Sequence, residues 1–122
     1  MRLLELRPVL QTTDLRGSVE SYTKVLGFRC VALSDEWGWA TLRRDGAAIM
    51  LARPHDHEAF REPRFTGSIY LTTDDVAAIW HQVQGKARIC YPMEDFDYGM
   101  REFAVYDMDG YMIQIGQELP AA

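Results

Sequence analysis

The sequence predicts an α+β fold built from two βαβββ modules in succession. Three observations predict it. The order of hydrophobic patterns is strand, helix, then three strands, and that order occurs twice. Thr12-Thr13-Asp14 recurs as Thr72-Thr73-Asp74, sixty residues on. Asp45-Gly46 recurs as Asp109-Gly110, sixty-four residues on, and an alternating apolar strand follows each turn, aligning Ile49 with Ile113 and Leu51 with Ile115. A module of this kind has one sheet face covered by its helix. Two side by side are expected to curve into a half-open, cup-shaped mixed sheet with the helices on the convex face, and concave sites of that kind take small ligands.

Each element has a local reason. Residues 6–13 read as a strand that runs into Asp14, a helix N-cap. Residues 15–26 carry Leu15, Val19, Tyr22, Val25 and Leu26 on one helical face, and Gly27 stops the helix. Residues 28–33 and 37–43 read as strands, and Asp45-Gly46 turns the chain back into a strand over 47–52. Residues 53–66 hold two prolines and many charges without a period, and read as a linker. Residues 68–72 alternate as a strand; Asp74 or Asp75 caps a second helix carrying Val76, Ile79, Trp80 and Val83, and Gly85 stops it. A short strand over 88–91, an acidic aromatic loop over 94–99, and strands over 101–106 and 111–116 complete the second module. The organisation is thus one domain over 1–122, with module one at 6–52 and module two at 67–117.

Composition bounds the function. At 122 residues the chain is one domain's worth, able to bury a core without disulfide or metal. Its net charge of −5 argues against a nucleic-acid partner and leans toward a cationic or neutral ligand. No apolar run approaches the roughly 20 residues of a bilayer span. The first seven residues lack an apolar core of signal-peptide length, so a cytoplasmic location is expected. Cys30 and Cys90 lie far apart and are expected as reduced thiols.

Two stretches carry a resemblance. One is Pro8-Val9-Leu10 through Thr13-Asp14-Leu15, with Ser18, Tyr22 and Leu26-Gly27-Phe28. The other is Tyr98-Gly99-Met100-Arg101-Glu102-Phe103, followed by Asp107-Met108-Asp109-Gly110-Tyr111. Together they resemble the vicinal oxygen chelate superfamily, the glyoxalase, bleomycin-resistance and extradiol-dioxygenase group, over residues 6–117. The resemblance implies a divalent metal held in the cup by side chains on the first and last strand of each module. Those positions here hold Arg7, Met50, Ser68 and Gln114. A guanidinium has no acceptor, and a thioether, a hydroxyl and an amide are poor partners for a hard cation. No metal and no other cofactor is therefore expected. Among the family's branches the metal-free bleomycin-resistance type is most similar. It implies a homodimer that sequesters a ligand, for instance a cationic antibiotic, with the cup formed within one chain or across two. The alternatives are a metal-independent lyase or isomerase of the same superfamily, and a structural or regulatory dimer without a small ligand; whether the protein is an enzyme stays open, leaning against.

If the former metal positions face the cup, strand parity sets their neighbours. Arg7, Met50, Ser68, Tyr70, Met112 and Gln114 then line it, with Glu102 and Tyr106 on the strand after Gly99. The opposite parity, including Leu10, Ile49, Leu51, Ile113 and Ile115, is apolar as a helix-facing layer should be. Trp37 and Trp39 are expected to share a face, cleared by Gly38 and suited to planar or cationic ligands. Plainer roles stand beside these: the tryptophans as interface or core, Arg7 and Glu102 as an ion pair with one another, Tyr70 and Tyr106 as packing, Met50 and Met112 as gap-fillers. Glu102, Tyr70 or Tyr106 would be the acid or base of a metal-free enzyme. His55-Asp56-His57-Glu58 reads as solvated linker rather than a metal site, and His81 as a surface helix position. The acidic run over 94–98 either guides a cation or is simply solvated.

Overall fold

The computed structural model describes residues 1–54 and 65–121. The chain divides into two compact units, Met1–Arg61 and Glu62–Ala122. Unit 1 contains β1 (Val9–Gln11), α1 (Leu15–Lys24), β2 (Arg29–Ser34), β3 (Trp39–Arg44) and β4 (Ala47–Ala52). Unit 2 contains β5 (Ile69–Thr72), α2 (Val76–Val83), β6 (Arg88–Phe96), β7 (Met100–Tyr106) and β8 (Met112–Glu118). Each unit is a βαβββ module, as the sequence predicts.

The two sheets have the same topology, β1-β4-β3-β2 and β5-β8-β7-β6. In each, the first strand lies parallel to the last, and the other pairings are antiparallel. The parallel pair needs a crossover, and the helix supplies it. In unit 1, α1 packs on β2, β3 and β4. It buries Leu15 and Tyr22 against a layer containing Leu10, Ala40, Leu42, Ile49 and Leu51. Tyr22 meets Phe28 edge-on at 5.7 Å. In unit 2, α2 packs on β7 and β8 and buries Val76 and Val83 beside Phe103, Val105, Ile113 and Ile115. Trp80 lies 5.0 Å from the Phe103 ring. The alternation read from sequence thus places one apolar face of each sheet under its helix.

The caps follow the sequence. The Asp14 carboxylate accepts from the Gly17 amide at 3.0 Å. Of the two candidates for the second helix, Asp75 is the cap, accepting from Ala78 at 3.1 Å. Gly27 follows α1 with φ of 71°, a conformation that side chains with a Cβ resist.

Several boundaries differ. The first strand is only Val9–Gln11, because pairing with β4 begins at Val9. The strand expected over 37–43 starts at Trp39 instead. Ser34 to Gly38 form a turn closed by the Gly38 amide on the Ser34 carbonyl at 2.8 Å. Trp37 therefore lies in the turn, and the shared face expected for the two tryptophans is not formed by strand alternation. Gly38 serves the turn: its φ is 72°, and a Cβ there would come within 2.9 Å of the Arg53 side chain. The acidic loop expected over 94–99 is corrected as well. β6 continues to Phe96, with register shifts between Ile89 and Tyr91 and between Tyr91 and Glu94. These bulges accommodate Pro92, and Asp95 is paired with Arg101 at 2.6 Å.

Both cysteines are free and half-buried. Among the described residues no helix is long and apolar enough to cross a membrane. His55, Asp56, His57 and Glu58 lie outside the described residues.

The cap assignment separates two neighbouring aspartates. Asp75→Ala is expected to cost about 1 kcal/mol in urea unfolding. Asp74→Ala should stay within about 0.5 kcal/mol of the parent protein.

Candidate functional site

In unit 2 the face opposite α2 gathers around one carboxylate. Glu102 is 0% exposed on the central strand β7. Its parity is opposite to that of Phe103 and Val105, so it points away from the helix side. Tyr70 on β5 donates its hydroxyl to Glu102 Oε1 at 3.0 Å. Tyr91 on β6 donates to Oε2. Tyr98, in the β6–β7 turn, interacts with the same carboxylate. Gln114 on β8 donates from Nε2 to the Tyr91 hydroxyl at 2.9 Å, and the Ser68 hydroxyl donates to Gln114 Oε1.

Local structure explains each placement. Glu102 pairs with Gly116 across β7 and β8, while Tyr70 pairs with Gln114 and Thr72 with Gly116 across β5 and β8. The Tyr70 ring reaches Glu102 by crossing β8 at Gly116. A Cβ on Gly116 would come within 2.1 Å of the Tyr70 hydroxyl. The first bulge in β6 puts Tyr91, rather than Cys90, opposite Ala104, which brings its hydroxyl onto the Glu102 face. Phe96 stacks on Tyr98 at 5.4 Å and meets Tyr91 edge-on at 5.6 Å, so the aromatic side chains brace one another.

The electrostatics follow. Burial raises the pKa of the Glu102 carboxyl, but hydrogen bonds from Tyr91, Tyr98, Tyr70 and Gln114 outweigh that, and the net shift is downward. The tyrosines move the other way. Burial, then the hydrogen bond to Glu102, pushes Tyr70 up to about 12. The bond to Glu102, then burial, pushes Tyr98 up to about 12. Tyr91 is raised too, by burial first. The cluster is an ionised carboxylate holding neutral phenols.

Unit 1 has a different surface on its corresponding sheet face. Trp39, Thr41 and Arg43 alternate along β3, while Ala40 and Leu42 between them are fully buried toward α1. With Arg7, Val31 and Met50 they line an open groove of about 380 Å³. Glu5 binds at its edge. Arg43 donates to both Glu5 oxygens, at 2.9 and 2.7 Å, and Arg7 donates from Nε at 3.1 Å. Hydrogen bonds from Arg43 and then Arg7 hold the Glu5 carboxyl down at about 2.

The structure sorts the expected residues into groups. Arg7, Trp39 and Met50 meet at the unit 1 groove. Trp37 is 78% exposed in its turn and does not line that groove. Ser68, Tyr70, Glu102 and Gln114 form one network in unit 2. Tyr106 and Met112 pair with each other at the other end of β7 and β8. There Tyr106 accepts from the Cys90 thiol at 3.2 Å and lies 4.5 Å beneath the Arg88 guanidinium. Arg7 and Glu102 each have partners in their own unit. Tyr91, Arg43, Thr41 and Glu5 were not expected at a site, and Tyr98 was expected only within the acidic run over 94–98. Arg43 was accessible by parity with Trp39. Tyr91 was not, because the bulge overrides alternation.

The four residues at the family's metal positions do not fit a divalent cation. Arg7 is a cation engaged with Glu5, Met50 offers a thioether, and the Gln114 oxygen is taken by Ser68. Among the described residues no group of three or more His, Cys, Asp or Glu side chains is placed to hold a metal ion.

A family model described as the Glyoxalase/Bleomycin resistance protein/Dioxygenase superfamily matches residues 6–115. The comparison with curated proteins returned no match. Among solved structures, TioX from Micromonospora sp. ML1 superposes with a TM-score of 0.79 at 21% identity, over 95% of this chain and 99% of that one. A glyoxalase/bleomycin resistance protein/dioxygenase from Nocardioides gives 0.76 at 18% identity, over 100% and 87%. A bleomycin-binding protein complexed with bleomycin gives 0.74 at 23% identity, over 95% and 99%.

The cluster has an alkaline signature. Followed by tyrosine ring resonances, Tyr70 and Tyr98 should ionise near 12 rather than at the ordinary 10.0. A phenol whose folded pKa is raised stabilises the fold fully below its unfolded value, and that contribution is lost as pH climbs through the folded value. Stability should therefore decline from pH 10 to 12. Glu102→Gln should bring both tyrosines back toward 10.0, whereas Gly116→Ala should release Tyr70 and leave Tyr98 high.

Proposed function

This chain belongs to the Glyoxalase/Bleomycin resistance protein/Dioxygenase superfamily, and we infer that it is a small-molecule binding protein of the bleomycin-resistance type, sequestering a cationic ligand rather than transforming it. The observation that carries this reading is the set of tyrosines on Glu102. Tyr70 commits its hydroxyl proton to the carboxylate, so the outward side of its oxygen is an acceptor. Tyr70 is 40% exposed and Tyr98 64%, which presents aromatic rings and an acceptor oxygen together. That surface suits a cation or an N–H donor. The net charge of −5 draws the same class of ligand.

The same geometry argues against acid–base turnover. A general acid or base works best with a pKa near the working pH. Glu102 is shifted away from neutrality on the acid side, and Tyr70 and Tyr98 on the alkaline side, at about 12. Both Glu102 oxygens already accept protein hydrogen bonds. The proposal includes a homodimer, which the family resemblance implies, and a cytoplasmic location, which is the expectation from the sequence.

Thermal unfolding of the protein against metal-free bleomycin tests the reading. Ligand at 100 times its Kd should add about 2.7 kcal/mol to stability. For a domain of this size that is a rise of several degrees. The drug should be recovered unchanged, and Tyr70→Phe should reduce the shift. The absence of any saturable shift would remove bleomycin as the ligand. A product formed from the drug, and lost in Glu102→Gln, would replace sequestration with a metal-independent lyase or isomerase.

A further inference from the structure

We propose that the unit 1 groove binds an aromatic carboxylate, which takes the Arg7–Arg43 seat from Glu5. The seat is already shaped for a carboxylate. Arg43 grips both oxygens of Glu5, and Arg7 adds donors from Nε and Nη2. Planar, forked donation of this kind is specific to carboxylates and similar oxyanions. The groove beside the seat holds a ring. Trp39, Val31 and Met50 supply apolar walls, Thr41 a hydroxyl, and the volume of about 380 Å³ lies in the range of small-ligand sites.

Glu5 is a weak incumbent. It belongs to the stretch before β1, which has no helix or strand. Its neighbours Leu3, Leu4 and Leu6 are 101%, 84% and 86% exposed, so no packing of those side chains seats it. Its ion pairs with Arg7 and Arg43 are about one-third exposed, and exposed pairs contribute little net stability. A ligand with the same carboxylate and an apolar ring makes the same hydrogen bonds and also covers Trp39 and Met50. Leaving the seat empty is unfavourable, because two guanidinium groups then face one another without a counterion. The local charge is opposite in sign to the net charge of the chain, and the seat is built from residues of unit 1 alone.

Isothermal titration with 2-naphthoate tests it, with neutral 2-naphthamide and cationic 2-naphthylmethylamine as comparators. Naphthoate should bind saturably, about tenfold more tightly than naphthamide. Removing the internal competitor in Glu5→Gln should tighten naphthoate about five- to tenfold, in proportion to the time Glu5 occupies the seat. Arg43→Gln should weaken it by a similar factor. Equal or weaker binding to Glu5→Gln, or an amine that binds as tightly as the carboxylate, would overturn the proposal. A measurement on the unmodified protein avoids dependence on any variant. On adding naphthoate, the Trp39 indole and Arg43 guanidinium resonances should move while those of Tyr70 and Tyr98 stay. Movement confined to the tyrosines would overturn the groove assignment. Tyr70→Phe should leave naphthoate affinity unchanged while reducing the response to bleomycin, so failure of one site is distinguishable from failure of the other.

Discussion

One buried carboxylate organises the face of unit 2 opposite α2. Taking an ionised group out of water costs several kcal/mol even after relaxation. Hydrogen bonds to a charged acceptor return about 1.5–3 kcal/mol each. A single tyrosine would not offset the burial of Glu102, whereas Tyr70, Tyr91 and Tyr98 together, with Gln114 supporting Tyr91, are of the right size. The dependence runs both ways. Glu102 stays charged because the hydroxyls converge on it, and the hydroxyls are aimed because Glu102 is charged. Gly116 is part of the arrangement, since only a residue without a side chain lets Tyr70 lie across β8.

The two modules show how one scaffold carries different surfaces. Both bury an apolar layer beneath a helix, in sheets of identical topology. Their opposite faces differ. Unit 2 has a fully buried anion satisfied by neutral phenols. Unit 1 has two arginines satisfied by a partly exposed glutamate. The first network links side chains of β5, β6, β7 and β8. The second is exchangeable, because its anion comes from a stretch outside the sheet. Met50 and Gln114, at equivalent places in the repeat, illustrate the divergence: one approaches the Arg7 guanidinium, the other bridges Ser68 and Tyr91.

The repeat, the helix caps and the helix-facing layers were legible because they rest on local rules of period two and period 3.6. Ile49, Leu51, Ile113 and Ile115 could be assigned to the buried face from alternation alone, and they lie there. Alternation failed where the chain leaves it. The bulges in β6 shift parity after Ile89, so Tyr91 joined the site unannounced and an acidic strand passed for a loop. Trp37 falls in a turn whose closure depends on Ser34 and on Arg53 from the far end of the unit, a contact no short window contains. Glu5 lies outside any periodic element. Its position is set by Arg43, thirty-eight residues away. Glu102 was visible as a polar residue in an apolar strand, but its partners come from three other segments.

Binding rather than turnover follows if Glu102 is a permanent anion. Its charge can be observed directly from the carboxyl carbon resonance of Glu102, followed from neutral pH into acid in isotopically labelled protein. An ionised carboxylate at neutral pH that takes up its proton below the ordinary 4.5 is the expected result. A carboxyl that titrates above that value, or that is already protonated at neutral pH, would contradict it. Such a group would be the donor to its tyrosines rather than their acceptor, and it would be poised for proton transfer.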